Sequence, residues 1–263
     1  MGVVNVTPDS FSDGGEWFDA ADAIAHGLSL IDEGADIIDV GGESTRPGAR
    51  RVGVAEELRR VLPVIAELAG RGATVSVDTM DPSVVEQAIG AGAQMVNDVS
   101  GGRAHPDMLA TVAALDVPYV CMHWRGYSLD MHSRAVYDDV VADVLSELRG
   151  QTEAALAAGV RRDHLIIDPG FGFAKNGSHN WEILRRLDEL DELGLPVLIG
   201  VSRKGFLGSL LADAAGNRPP LGRDDATLAL TTLMAQRHAW GVRVHSVRSS
   251  RDAIAVVQRL TDT

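Results

Sequence analysis

Short runs of apolar and β-branched residues alternate along this chain with longer stretches in which apolar positions recur every three or four residues. The first pattern is that of strands buried on both faces, and we expect strands at residues 3–6, 37–40, 74–77, 95–99, 119–122, 165–167, 197–201 and 242–245. The second lays an apolar stripe along one side of a helix; it predicts helices over residues 20–33, 55–69, 82–91, 138–158, 180–193, 224–238 and 249–260. Four of these run into a Gly-containing turn, at Gly34-Ala35, residues 70–72, Gly92-Ala93 and Gly159-Val160. A left-handed residue is the usual stop of a helix there.

Alternation of this kind builds a parallel sheet from βα units, and the count is eight. The chain has 263 residues, close to the roughly 250 that a closed (β/α)8 barrel takes. No linker or shift of composition divides it. We therefore expect one domain over residues 1–263, an α/β fold of the (β/α)8 TIM-barrel class, with an open doubly wound sheet as the alternative.

Composition narrows the partners. With 37 acidic and 24 basic side chains the net charge is −13, which argues against a broad nucleic-acid-binding or anionic-membrane surface. Any anion must be bound locally. The lone Cys121 lies in an apolar run and reads as a buried thiol rather than a nucleophile. With no disulfide framework, no basic-then-apolar leader and no apolar run near the ~20 residues of a membrane span, a soluble cytoplasmic protein is expected.

In such a barrel the active face lies where strands hand over to helices, and polar residues gather at those points. Asn5 lies on strand one; Thr45 and Arg46 follow strand two; Asp78 ends strand three; Asn97 and Asp98 lie in strand four. Met122 and His123 end strand five, Asp168 closes strand six, Ser202, Arg203 and Lys204 follow strand seven, and Arg243 and His245 sit at strand eight. Any one Asp there could be no more than a cap; the joint pattern asks for a ligand. Asp78, Asn97 and Asp168 suit a flat heterocycle with a guanidine-like edge, because a carboxylate accepts two parallel N–H donors. Arg46, Arg243 and His245, with Asn5 as a neutral oxygen for a hard cation, compose a pyrophosphate site. Residues 12–15 and 44–48 are Gly-rich enough to close over a substrate or to be plain surface loops. Lys204 stands in a loop rather than a strand, which disfavours a Schiff-base role, and the scattered histidines lack zinc-ligand spacing.

These residues fall in recognisable motifs. NVTPDSFSDGG at 5–15 resembles the opening signature of dihydropteroate synthases, and DIIDVGGESTRPG at 36–48 is similar to their second. SVDT at 76–79, NDVSGG at 97–102, DPGFGFAK at 168–175, SRK at 202–204 and RVH at 243–245 continue the likeness in order and spacing. It covers essentially the whole chain.

The resemblance implies a transferase that joins para-aminobenzoate to a dihydropterin pyrophosphate by dissociative displacement, with Mg²⁺ as cofactor and a homodimer as the assembly. It implies that Asp78, Asn97, Met122, Asp168, Gly200 and Lys204 hold the pterin. Asn5, Thr45, Arg46, Arg243 and His245 would hold the pyrophosphate, Asn5 serving the metal. Phe11, Thr45, Pro47, Phe173, Ser202 and Lys204 would form the para-aminobenzoate pocket, and Asp13 and Arg46 would join Asp78, Asp168 and Lys204 in catalysis. Gly205 stands where relatives commonly carry a larger side chain, and the chain starts one residue before strand one where they usually carry a short extension. A silent pterin-binding paralogue and a pterin-dependent methyltransferase are the rivals; the intact residues argue against the first, the pyrophosphate set against the second.

Overall fold

The structure, a computed structural model, describes residues 1–7, 20–44, 51–127 and 131–261. Its elements run β1 (Gly2–Asn5), α1 (Ala20–Asp32), β2 (Ile38–Gly41), α2 (Val54–Gly70), β3 (Val75–Asp78), α3 (Pro82–Gly90), β4 (Met95–Asp98), α4 (Met108–Leu115) and β5 (Tyr119–Met122). They continue with α5 (Val140–Ala157), β6 (Leu165–Asp168), α6 (Gly177–Arg185), β7 (Leu198–Ile199), α7 (Gly205–Leu210), α8 (Asp224–Gln236), β8 (Gly241–Val242) and α9 (Val247–Thr261).

β1 to β6 pair in sequence order, all parallel, and β7 pairs β8. Single parallel bridges, Ile167 to Val197 and Gly2 to Val244, join the two pieces, so the sheet closes into the expected barrel. The helices surround it, and the main apolar core lies between them and the outward faces of the strands: Val4, Val40, Val75, Val77, Val96, Tyr119, Cys121, Leu165 and Ile167 all belong to it.

Side chains alternate in and out along a strand, and the inward set is layered. Met95, Val120, Ile166 and Leu198, with Ile37 and Met1 against them, form a separate apolar plug inside the barrel. Two residues further along the same strands come Asn97, Met122, Asp168, Gly200 and Asp39. The plug at one level thus dictates the level at which polar groups face the barrel axis.

Several elements differ from the expected ones. The helix expected over 180–193 begins at Gly177 and stops at Arg185, and a 3₁₀ helix, Leu187–Leu193, follows. Its buried Leu187, Leu190 and Leu193 recur every third residue, the period of a 3₁₀ turn. α4 and α7 were not expected, and β7 and β8 are two residues each. The turn glycines behave as expected: Gly92 has φ +112° and Gly159 φ +101°.

Candidate active site

At the C-terminal mouth of the barrel the central group is one that sequence reasoning passed over. Asp39, fully buried on β2, accepts hydrogen bonds through Oδ2 from Arg243 Nε at 2.6 Å and from Asn97 Nδ2 at 2.9 Å. Arg243 Nη2 reaches on to Asp78 Oδ2 at 2.9 Å. Residues from β2, β3, β4 and the end of β8 are tied into one network. Burial alone would lower the pKa of Arg243, but Asp39 and Asp78 raise it above the ordinary value. Burial pushes the Asp78 carboxyl up to about 7; Arg243 opposes the rise, and the Asp39 carboxylate adds to it.

The opposite wall is built by β6 and the loop after it. Asp168 Oδ1 accepts from the backbone N–H of Gly170 at 2.7 Å. Burial raises its pKa, offset by that bond and by the positive charges of Lys204, Lys175 and Arg243. Lys204, at the N-terminus of α7, holds its Nζ 4.3 Å from the centroid of the Phe173 ring, a cation–π distance. Met122 packs with Met80 and Val99, and Phe173 and Tyr127 lie against this apolar patch. A methyl group added at Gly200 would lie 3.4 Å from Asp168 Oδ2, so glycine keeps that approach open.

Between the walls sit Ser202 and His245. The Ser202 hydroxyl accepts from the His245 backbone N–H at 3.2 Å and lies 2.9 Å from His245 Nδ1. The hydroxyl proton can therefore go to Nδ1, which leaves the proton of a neutral imidazole on Nε2. Asn5 ends β1, half-buried, where its backbone partner on β2 is Gly41.

The structure brings Asn5, Asp78, Asn97, Met122, Asp168, Phe173, Gly200, Ser202, Lys204, Arg243 and His245 to this one end of the barrel. Phe11, Asp13, Thr45, Arg46 and Pro47, and residues 12–15, lie outside the described residues. Two expected members of the polar ring turn away from the mouth, and a third is tied to the start of α8. Asp98 faces the helix layer and accepts from Ser100, Gly102 and the Tyr119 hydroxyl, because it sits one residue past the inward Asn97. His123 is fully buried against Glu147 and Lys175. Arg203 is clamped by Asp224 at 2.7 and 2.8 Å. Asp39 itself carried a readable signal: a lone carboxylate within a strand buried on both faces requires a partner.

Residues 1–245 match the family described as Pterin binding enzyme. The dihydropteroate synthase of Mycobacterium leprae (strain TN) is 54% identical over 259 residues, 98% of this chain and 91% of that protein. The chain belongs to the dihydropteroate synthase family. Among solved structures, Xanthomonas albilineans dihydropteroate synthase with 4-aminobenzoic acid is 48% identical, with a TM-score of 0.91 over 100% of this chain and 93% of the other. The same organism's dihydropteroate synthase in complex with 7,8-dihydropteroate gives 45%, 0.87, 100% and 93%. A dihydropteroate synthase is a transferase, and the layered mouth described above is where this barrel gathers its inward-facing polar groups. Among the described residues, no helix is long and apolar enough to cross a membrane.

Proposed function

We propose that this chain is a dihydropteroate synthase, joining para-aminobenzoate to hydroxymethyl-dihydropterin pyrophosphate to give dihydropteroate and pyrophosphate in folate biosynthesis. The observation that carries this is the division of the mouth into carboxylates and an amide, Asp78, Asn97 and Asp168, facing cations, Lys204 and Arg243, with His245 beside them. The solved relatives with 4-aminobenzoic acid and 7,8-dihydropteroate bind one substrate and the product of this reaction.

On this reading Asp78 and Asp168 accept from the guanidine-like edge of the pterin, Asn97 adds an amide, Met122 and Gly200 line the flat faces, and Lys204 closes the pocket. The C–O bond between the pterin methylene and the pyrophosphate breaks first, its electron pair leaving with the pyrophosphate. The two buried carboxylates stabilise the cationic pterin that remains, while Arg243 and His245 take up the charge of the leaving group. The arylamine nitrogen then bonds to the methylene carbon and loses its proton to solvent. Phe173, Ser202 and Lys204, with Phe11, Thr45 and Pro47, would hold the para-aminobenzoate; Asp13 and Arg46 would complete the closed site.

The amide oxygen of Asn5 is a hard donor that would suit magnesium brought in with the substrate. Among the described residues no group of three or more His, Cys, Asp or Glu could cage a metal, whereas Mg²⁺ commonly takes one or two protein oxygens with phosphate oxygens and water. Asn5 would supply that oxygen, and the ion, when bound, neutralises pyrophosphate charge. Leu210, Leu221 and Leu233 are exposed on neighbouring elements, α7, the turn Pro220–Arg223 and α8, which supports a homodimer through the outer helices. The buried, unpaired Cys121 is in keeping with a cytoplasmic enzyme.

The test is pyrophosphate release from hydroxymethyl-dihydropterin pyrophosphate with Mg²⁺, run with and without para-aminobenzoate, with the product identified by mass. Dihydropteroate formed only in the complete mixture is the expected result. Binding of the pterin without turnover refutes the enzyme, and absence of binding refutes the site.

A further inference from the structure

Behind Asp168 runs a polar chain, buried at Lys175 and His123 and half-buried at Glu147 and Arg125, that takes no part in the reaction as described. Lys175 is 3% exposed. Its Nζ lies 2.9 Å from His123 Nδ1, 3.1 Å from the Gly170 carbonyl and 3.1 Å from that of Phe173. An ammonium has three protons and no acceptor, and here three acceptors surround it. His123, accepting at Nδ1, carries its ring proton on Nε2, where Glu147 Oε2 accepts at 3.0 Å. Glu147 on α5 is gripped in turn by Arg125, whose Nε lies 3.0 and 3.1 Å from its two oxygens. The Arg125 guanidinium lies 3.8 Å from the Tyr137 ring centroid, and the Tyr137 hydroxyl donates to the Ala174 carbonyl at 2.9 Å.

The chain therefore grips one loop at both ends, at Gly170 and Phe173 through Lys175 and at Ala174 through Tyr137. That loop has no regular hydrogen-bond ladder of its own and passes through three left-handed residues, Gly170 at φ +70°, Gly172 at +77° and Ala174 at +47°. A non-glycine residue there is held against its own preference. What the loop delivers is the Gly170 N–H that fixes Asp168 Oδ1 and the Phe173 ring under Lys204. Gly172 lies against the Lys204 stem, where an added methyl would come within 3.2 Å of Cδ.

We propose that Lys175, braced from β5 and α5 by His123, Glu147 and Arg125, is a positioning residue for pterin capture that fixes the loop presenting Asp168 and Lys204 to the substrate. This rests on the assignment of Asp168 and Lys204 to the pterin. A residue that merely held the fold together would change the melting temperature and leave the affinity of the folded protein alone.

The experiment is a double-mutant cycle read as the Kd of hydroxymethyl-dihydropterin pyrophosphate by calorimetric titration, on wild type, Lys175→Met, Glu147→Gln and the double variant, each checked for folding by circular dichroism. Lys175→Met is expected to weaken binding about tenfold or more and Glu147→Gln about threefold. The double variant should be no worse than Lys175→Met alone, because residues acting as one unit are not additive. Unchanged affinity in Lys175→Met, or a double variant weakened by the product of the two single effects, overturns the role. Should Lys175→Met fail to fold, Glu147→Gln decides: about threefold weakening supports the chain and none overturns it. A wild-type protein that does not bind the pterin overturns the assignment of function as well; a wild type that binds leaves the cycle to judge Lys175 alone.

Discussion

Replacing Asp39 by Asn tests whether the barrel mouth is organised from its centre. The carboxylate uses one oxygen for both Arg243 and Asn97, while Oδ1 is buried without a hydrogen-bond partner. An amide therefore fits without a clash: its oxygen keeps both donors, and its NH₂ takes the Oδ1 position. What is lost is charge. Arg243 stays charged, so the bond remains one to a charged group, worth about 1.5–3 kcal/mol; without the charge on its acceptor it should weaken by about 1–2 kcal/mol. Arg243, held less strongly by the amide, is drawn toward Asp78, and on the proposed function it competes with the pterin for that carboxylate. The expected result is about 1–2 kcal/mol less stability in urea denaturation and a KM for the pterin substrate raised by about tenfold, since ~1.4 kcal/mol is one decade, with kcat changed less. A variant within about 0.5 kcal/mol and twofold of wild type in both assays would show that Asp39 is a bystander.

Other perturbations separate structure from chemistry. Burial and the nearby Lys175 charge lower the His123 pKa to about 3, so between about pH 3 and its ordinary value near 6.5 the unfolded chain binds a proton that the folded one does not. Stability should fall as pH drops through that window, by up to ~1.4 kcal/mol per pH unit. His123→Gln should remove that part of the slope, and equal slopes in the two proteins would refute the assignment. Tyr119→Phe deletes the buried 2.8 Å bond to Asp98 and should cost about 1–3 kcal/mol of stability while leaving kcat/KM unchanged; a loss of activity without a loss of stability would return Asp98 to the site. Gly205→Ala adds a methyl that meets nothing within 4 Å. It should be neutral or stabilise by up to about 1 kcal/mol, measured as a Tm, and a lowered Tm would show that the site is not open.

The barrel was legible because strands buried on both faces and amphipathic helices have different periods, and their alternation leaves few topologies. What escaped is physical in each case. α7 contains Gly205 and Gly208, with the methionine-free sequence GFLGSL, and its helicity comes from packing Phe206 and Leu207 rather than from propensity. The 3₁₀ helix Leu187–Leu193 was absorbed into a longer helix because leucines at every third place also fit an α-helical stripe. In the site, strand parity separates Asn97 from its neighbour Asp98, and the parity, not the residue type, decides which faces the barrel mouth. Asp39 hid within an apolar run whose signature residues drew attention to the loop that follows.

The single bridges at either side of the β7–β8 pair have a further consequence. Where neighbours within β1 to β6 share three or four registered pairs, the β6–β7 junction has the Ile167 N–H on the Pro196 carbonyl at 2.9 Å, and the β8–β1 junction has Val3 N–H to Val244 at 3.2 Å, Val244 N–H to Met1 at 2.9 Å and the Met1 ammonium to Val242 at 2.9 Å. These are two seams, and residues 197–261 form a panel between them. Proteins open first where few bonds must break, so the amides of Val3 and Ile167 should exchange with deuterium faster than that of Val77 at the middle of the six-stranded sheet. Lys204, Arg243 and His245 ride on the panel, and Asp78, Asn97 and Asp168 on the rest. On the proposed function, a substrate gripping both sets would span the seams as the barrel's missing staple, and its binding should slow exchange at the seams more than anywhere else.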